Sequence, residues 1–182
     1  MRVLAVLAIV VASATAGTFA YIEAAARFAL GTVPDMAAPT LQADRILVDK
    51  SDRLLVLFRN GRELARYSVS LGPGADDGPK QVEGDARTPE GIYRIDWRNP
   101  KSRYHLSLRI SYPSGSDRAR AAAMGKSAGG DIMIHGMPNG WGWAAALFQG
   151  RDWTNGCIAV TNTEMRHIWA QVPDGTLIEI RA

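Results

Sequence analysis

Short apolar runs separated by polar turns fill residues 44–182, and their lengths favour β-strands over long helices. Leu106, Leu108 and Ile110 alternate with polar residues, as in a strand with one buried face. Runs of this kind predict seven or eight strands, at 45–49, 53–58, 63–70, 92–97, 105–110, 131–134 and 176–180, with the short run 158–160 as the further candidate.

Turn and helix signals complete the predicted fold. Asn60-Gly61 predicts a hairpin between the second and third strands, because a type I′ turn needs positive φ at both central positions. Helical turns are predicted at 117–126, and a helix capped by Thr161 or Asn162 is predicted at 163–169. Without βαβ alternation or internal repeats, the pattern predicts a mostly antiparallel β-sandwich or barrel with one or two short helices.

The first 22 residues carry a targeting signal. Arg2, an apolar run at 3–12 and small residues up to Gly17 are typical of a secretory signal peptide, with cleavage after Ala14 or Ala16. Apolar residues continue to Ile22, so an uncleaved membrane anchor is the alternative. We expect residues 23–43 to form a linker and residues 44–182 to form an exported domain, in the periplasm or cell envelope or tethered to the inner membrane.

Composition narrows the class of partner. A chain of 182 residues with 47% hydrophobic and 21% charged residues is typical of a soluble protein with one domain. The formal charge is only +3 and the basic residues are scattered, which argues against a nucleic-acid partner. The pattern leaves the oligomeric state open.

The single cysteine is the leading candidate for chemistry. Cys157 follows Gly156, and His135 ends an apolar run before Gly136. A thiol needs a base to become a nucleophile, and backbone N–H groups at a glycine turn can stabilise an oxyanion. The three histidines are widely dispersed and no phosphate-binding loop is present, so we expect neither a metal nor another cofactor.

These residues also carry a family resemblance. His135-Gly136, a glycine- and tryptophan-rich stretch and then Thr154-Asn155-Gly156-Cys157 resemble the signature of the L,D-transpeptidase catalytic domain (YkuD-type). Residues 87–93 resemble a segment that these domains carry ahead of a strand. The resemblance implies a β-sandwich domain that acts on peptidoglycan stem peptides and is inhibited by carbapenems.

The resemblance also implies residue roles. Cys157 would attack the diaminopimelate carbonyl of a stem tetrapeptide, releasing D-alanine, and an amine would resolve the thioester in cell-wall cross-linking or protein attachment. His135 would be the general base and the carbonyl of Gly136 would orient it. The N–H groups of Asn155, Gly156 and Cys157 would form the oxyanion hole. Additional substrate contacts are predicted from Thr154, Trp141 and Trp143. The two tryptophans would form a lid or groove wall over the acyl site, or alternatively pack on the sheet edge.

Two positions depart from the family pattern. Asn155 stands where a histidine is usual, and Ala159 stands where an arginine or asparagine is usual. Asn155 cannot titrate, so a proton-relay role at this position is lost. The alternatives are therefore a hydrolase on the same bonds, either an L,D-carboxypeptidase or an amidase that releases wall-attached protein, and a catalytically degenerate peptidoglycan-binding module.

Overall fold

The computed structural model describes residues 33–182. The predicted signal peptide or anchor and the first part of the predicted linker lie outside these residues. No helix within 33–182 is long and apolar enough to cross a membrane.

Eight short strands and three short α-helices make up the described chain. The strands are β1 (Arg45–Asp49), β2 (Leu54–Arg59), β3 (Arg62–Ser68), β4 (Gly91–Asn99), β5 (Ser107–Ile110), β6 (Met133–His135), β7 (Ile158–Ala159) and β8 (Leu177–Arg181). The α-helices are α1 (Gly115–Ala123), α2 (Ala145–Phe148) and α3 (Asn162–Gln171). Single 3-10 turns lie at Pro39–Leu41, Ala75–Asp77 and Gly142–Ala144.

The strands form one mixed sheet in the order β3-β2-β1-β8-β4-β5-β6-β7. Neighbouring strands are antiparallel except for the pairs β1/β8 and β6/β7, which are parallel. The mostly β, mostly antiparallel prediction is confirmed. The parallel pair β1/β8 joins strands from opposite ends of the domain, so no local sequence signal could have indicated it.

The sheet curls until its two edges meet. The β4/β5 register shifts between Ile95 and Trp97, and such an irregularity bends a strand and increases its twist. Beyond β3, the N–H of Ser70 donates to the carbonyl of Ala159 (2.9 Å), and the N–H of Ala159 donates to that of Ser70 (2.8 Å). These bonds join the chain after β3 to the outer strand β7, giving a barrel-like sheet around the core.

Most element boundaries follow local chemistry. Asn60 and Gly61 have φ angles of 50° and 75°, which confirms the predicted hairpin turn. Helix α3 begins after Thr161, whose side chain accepts from the N–H of Glu164 while the Glu164 carboxylate accepts from the N–H of Thr161. The predicted start of β5 is wrong: His105 has a φ of 66°, so the strand begins only at Ser107.

The core lies inside the curled sheet and beneath α3. It is built from fully buried aliphatic side chains on every strand except β3, which contributes Tyr67, and α3 contributes its apolar face. Its central members include Ile46, Leu57, Ile95, Leu108, Ile134, Ile158, Met165, Ile168 and Ile178. Ile134 and Ile158 anchor β6 and β7, the two strands next to the candidate chemistry.

Candidate active site

The pairing of β6 with β7 brings the predicted nucleophile and base to one face of the sheet. Ile134 lies opposite Ile158, and His135 lies opposite Ala159. Extending this register by one residue places Cys157 opposite Met133. Alternate residues of a strand share a face, so His135 and Cys157 project from the same side.

Both side chains line a cavity of about 410 Å³. Its wall contains the aromatic residues Tyr104 and Trp153, and its floor includes Thr154 and Asn155. The remaining lining residues are mostly polar and come from the β4–β5 connection and the start of β6: Asn99, Lys101, Ser102, Arg103, Ser107, Asp131 and Met133.

The imidazole of His135 is oriented by its neighbours. It is 4% exposed, and its ring centroid lies 4.6 Å from that of Tyr104 and 5.8 Å from that of Trp153. Nδ1 lies 2.7 Å from the carbonyl oxygen of Gly136. A carbonyl can only accept, so Nδ1 carries the proton and Nε2 keeps a free lone pair. The predicted orienting role of the Gly136 carbonyl agrees with this contact.

Burial lowers the pKa of His135 to about 4, although the Gly136 carbonyl favours the charged form. The imidazole is therefore neutral at neutral pH, which is the form that a general base requires. A histidine at the end of a buried strand thus has the protonation state that the sequence hypothesis needs.

The thiol of Cys157 is half-buried, and Sγ lies 3.6 Å from the carbonyl oxygen of Asp131. Burial raises the thiol pKa, whereas the N–H of Met133 and the positive charge of Lys80 oppose that rise. Within residues 33–182, no hydrogen bond joins Cys157 to His135. The unliganded pair is thus a neutral thiol near a neutral imidazole, rather than a preformed ion pair.

The backbone before the nucleophile is held by a threonine. The Thr154 hydroxyl donates to the carbonyl of Cys157 (2.7 Å) and accepts from the N–H of Gly156 (3.2 Å). Gly156 has a φ of 108°, and a side chain there would place Cβ 2.4 Å from the carbonyl oxygen of Arg87. Only glycine fits this position without displacing the neighbouring loop.

These contacts correct one part of the predicted oxyanion hole. The N–H of Gly156 already donates to the Thr154 hydroxyl, so Gly156 allows the backbone turn before Cys157 but offers no free donor to an oxyanion. The N–H groups of Asn155 and Cys157 donate no hydrogen bond to another part of residues 33–182. Thr154, which we predicted as a substrate contact, lines the cavity but is committed to holding the nucleophile's backbone.

Trp141 and Trp143 do not line the cavity that contains Cys157. Their rings are stacked on each other at 6.5 Å, and each residue is 52% exposed. Trp141 reaches the site only indirectly, through Phe148 and then Trp153. The tryptophans lie one aromatic layer outside the cavity in this structure, so the lid or groove wall over the thiol stays a prediction.

Sequence reasoning missed several lining residues. Tyr104 packs on His135 although it lies in a separate connection, and its pattern carried no signal. Trp153 precedes Thr154, and nothing in its sequence context distinguishes it from a packing residue, yet it contacts His135 and lines the cavity. The turn that presents the Asp131 carbonyl to the thiol has a positive φ of 53°, which a sequence pattern cannot reveal at an aspartate.

The two departures from the family pattern occupy different environments. Asn155 is exposed at the cavity, where its amide can donate or accept. Ala159 is 2% exposed and its backbone bridges to Ser70, so it serves the closure of the sheet. The described residues contain no group of three or more His, Cys, Asp or Glu side chains placed to hold a metal ion.

Comparisons with known proteins agree with this arrangement. A family model described as the L,D-transpeptidase catalytic domain (YkuD) matches residues 43–180. The Escherichia coli K12 protein named "Putative L,D-transpeptidase YafK" is 37% identical over 93 residues, which are 50% of this chain and 33% of that protein.

Two solved structures share the fold. The helical cell shape determining protein Pgp2 from Campylobacter jejuni is 25% identical with a TM-score of 0.57, covering 76% of this chain and 47% of that one. Bd1075 from Bdellovibrio bacteriovorus is 26% identical with a TM-score of 0.52, covering 82% and 51%. The chain thus spans about a third of the curated relative and about half of each structure.

Proposed function

Because the chain belongs to the L,D-transpeptidase catalytic domain family, we propose that it transfers acyl groups of peptidoglycan stem peptides through a thioester at Cys157. The observation that carries this proposal is one cavity lined by both a thiol and a neutral, oriented imidazole. The sequence pattern at the N-terminus supports a site of action in the periplasm or cell envelope.

In the acylation step, Nε2 of His135 accepts the thiol proton of Cys157 as the sulfur attacks the diaminopimelate carbonyl carbon. The carbonyl π-electron pair moves to oxygen, and free backbone N–H groups beside the thiol stabilise that oxyanion. Collapse of the intermediate breaks the peptide bond, and the imidazolium returns the proton to the departing D-alanine amine. A thioester and a neutral imidazole remain.

The second step regenerates the thiol. An acceptor amine attacks the thioester carbonyl and gives a proton to Nε2 of His135. The C–S bond then breaks and the sulfur takes back that proton. An amine from a second stem peptide produces a cross-link, whereas water produces a shortened peptide.

Hydrolysis is the second candidate, and one observation favours it. The tryptophans predicted to cover the thiol lie outside its cavity, and the cavity rim is rich in polar residues. Catalytic sites that protect an acyl intermediate from water usually exclude solvent around it. With this rim open, an L,D-carboxypeptidase or an amidase that releases wall-attached protein is consistent with the same thioester.

The test is to incubate the purified chain with disaccharide-tetrapeptides and to measure intact protein mass and soluble products. A thioester adduct on the wild type, absent in Cys157→Ala, supports the acyl-enzyme. Cross-linked dimers then identify transpeptidation, and free D-alanine with a tripeptide product identifies a carboxypeptidase. Lipoprotein-linked muropeptides test the amidase reaction.

A carbapenem provides a second probe of the nucleophile. We expect an adduct on Cys157 in the wild type and none in Cys157→Ala, since the strained ring acylates an accessible thiol. If neither probe modifies the wild type while the chain still sediments with peptidoglycan, acyl transfer is refuted and the binding-module alternative holds.

A further inference from the structure

A buried cation lies in the loop beneath the nucleophile. Lys80 is 3% exposed, although lysine is rarely buried without a partner. Its Nζ donates to the carboxylate of Asp85 (2.9 Å) and to the carbonyl of Val82 (3.0 Å). Lys80 therefore closes a tight polar loop of its own.

Asp85 ties the rest of this loop to the same charge. Its carboxylate accepts from the N–H groups of Gln81, Val82 and Arg87 as well as from Lys80. Burial raises the pKa of Asp85, but the Lys80 hydrogen bond and these N–H groups lower it to about 2. The Asp85 carboxyl group is therefore ionised at neutral pH.

This loop touches the nucleophile's backbone without intervening side chains. The carbonyl oxygen of Arg87 lies 2.4 Å from where a Cβ on Gly156 would stand. A Cβ on Gly72 would stand 2.0 Å from the carbonyl oxygen of Ala86 and 3.0 Å from the backbone nitrogen of Gly156. Two glycines thus interlock with two carbonyls, so a shift of the loop displaces the residue before Cys157.

The loop also supplies charge. The positive charge of Lys80 lowers the pKa of the Cys157 thiol against the effect of burial. Lys101 and Arg103 also line the cavity, but the charges that act on the thiol pKa are those of Lys80 and, in the opposite direction, Asp131. His135 is neutral at neutral pH, and Asn155 cannot carry charge. The loop that packs on Gly156 therefore also carries a positive charge that favours the thiolate of Cys157.

We propose that Lys80 is a positioning residue for Cys157: paired with Asp85, it holds the 80–88 loop against Gly156 and presents a permanent positive charge to the forming thiolate. Its catalytic consequence rests on the proposed function. Its effect on the thiol itself does not, because the thiol can be titrated in the free protein without any substrate.

The test measures the rate of Cys157 alkylation by iodoacetamide as a function of pH in the full chain. We expect Lys80→Met to move the midpoint upward by about one pH unit, which slows alkylation near neutral pH about tenfold. Lys80→Arg keeps the charge and should restore the wild-type profile.

Lys50→Met is the matched control. Lys50 is 2% exposed and donates to Glu90 (2.6 Å) and to the carbonyl of Gly78 (3.1 Å), so its loss removes an equally buried lysine that lies in the β1–β2 turn and bonds to the same β3–β4 connection. It should leave the midpoint of the alkylation profile unchanged. An equal shift in Lys50→Met would overturn the proposal and indicate general loosening of the loop.

Asp85→Asn tests whether the pair holds the loop. It replaces one of the two carboxylate oxygens that accept from Lys80 and from three backbone N–H groups, so the loop loses hydrogen bonds and Lys80 loses its counter-charge. We expect the alkylation midpoint to move upward, as in Lys80→Met, and an unchanged midpoint would overturn the proposal. This variant also decides the case if Lys80→Met fails to fold, as judged by its circular dichroism spectrum.

The two proposals fail in distinguishable ways. A wild type that alkylates normally and shows the Lys80 shift, but never turns over a muropeptide, refutes acyl transfer and leaves this inference intact. Normal turnover combined with an unshifted Lys80→Met profile refutes this inference alone.

Discussion

The buried imidazole of His135 makes stability dependent on pH in a way that one substitution can isolate. The pKa of His135 falls from its usual 6.5 to about 4 because the ring is buried against Tyr104 and Trp153. Between these values the unfolded chain binds a proton that the folded chain does not. Stability therefore rises with pH across this window and is lost as the pH falls.

The magnitude follows from the shift. A displacement of this size corresponds to about 3 kcal/mol at full effect, because one pKa unit is about 1.4 kcal/mol. Lowering the pH from about 7 to about 5 should cost about 2 kcal/mol through this residue alone, since most of the unfolded-state protonation occurs there.

The assay is urea unfolding of the full chain at both pH values, followed by tryptophan fluorescence, for the wild type and His135→Asn. The asparagine amide can donate to the Gly136 carbonyl as Nδ1 does but cannot titrate. Other titrating groups are common to both proteins, so the wild type should lose about 2 kcal/mol more than the variant. Equal losses would show that His135 titrates normally and would refute the argument for a buried neutral base.

Three further experiments test the site. Gly156→Ala should lower the free energy of unfolding, measured by urea titration, by more than about 2 kcal/mol, because the added Cβ clashes with the Arg87 carbonyl and the φ angle is unfavourable for alanine. Gly150→Ala is the control: its φ is also positive but its surroundings are open, so it should lower the free energy of unfolding by about 1 kcal/mol. Thr154→Val removes both hydrogen bonds that hold the nucleophile's backbone, so the carbapenem acylation rate measured by intact mass should fall about tenfold while binding to peptidoglycan persists. The double variant Trp141→Ala/Trp143→Ala should change the acylation rate by less than about twofold, since neither ring lines the cavity; a tenfold loss would show that they close over the substrate.

Local sequence was sufficient for much of the fold. The Asn60-Gly61 turn, the strand β1 and the cap at Thr161 depend on backbone preferences and hydrogen bonds within a few residues. The strand β5 shows the limit of that information, because alternation of apolar residues does not reveal the positive φ at His105.

Local sequence and the family resemblance also identified Cys157 and His135 as the candidate pair. They lie at the ends of short buried strands, and a buried strand end is readable from an apolar run that stops at a glycine. The same reasoning assigned all three N–H groups of 155–157 to the oxyanion hole, because a sequence does not show which donors are already bonded.

The tertiary structure alone decided what surrounds that pair. Tyr104, Trp153 and Lys80 reach the site from three separate connections, and the displacement of Trp141 and Trp143 depends on how the 136–153 segment packs. Turn and strand preferences act between neighbours in the chain. Contacts between distant segments, and the burial that sets the pKa values of His135 and Cys157, exist only after the sheet has curled and closed.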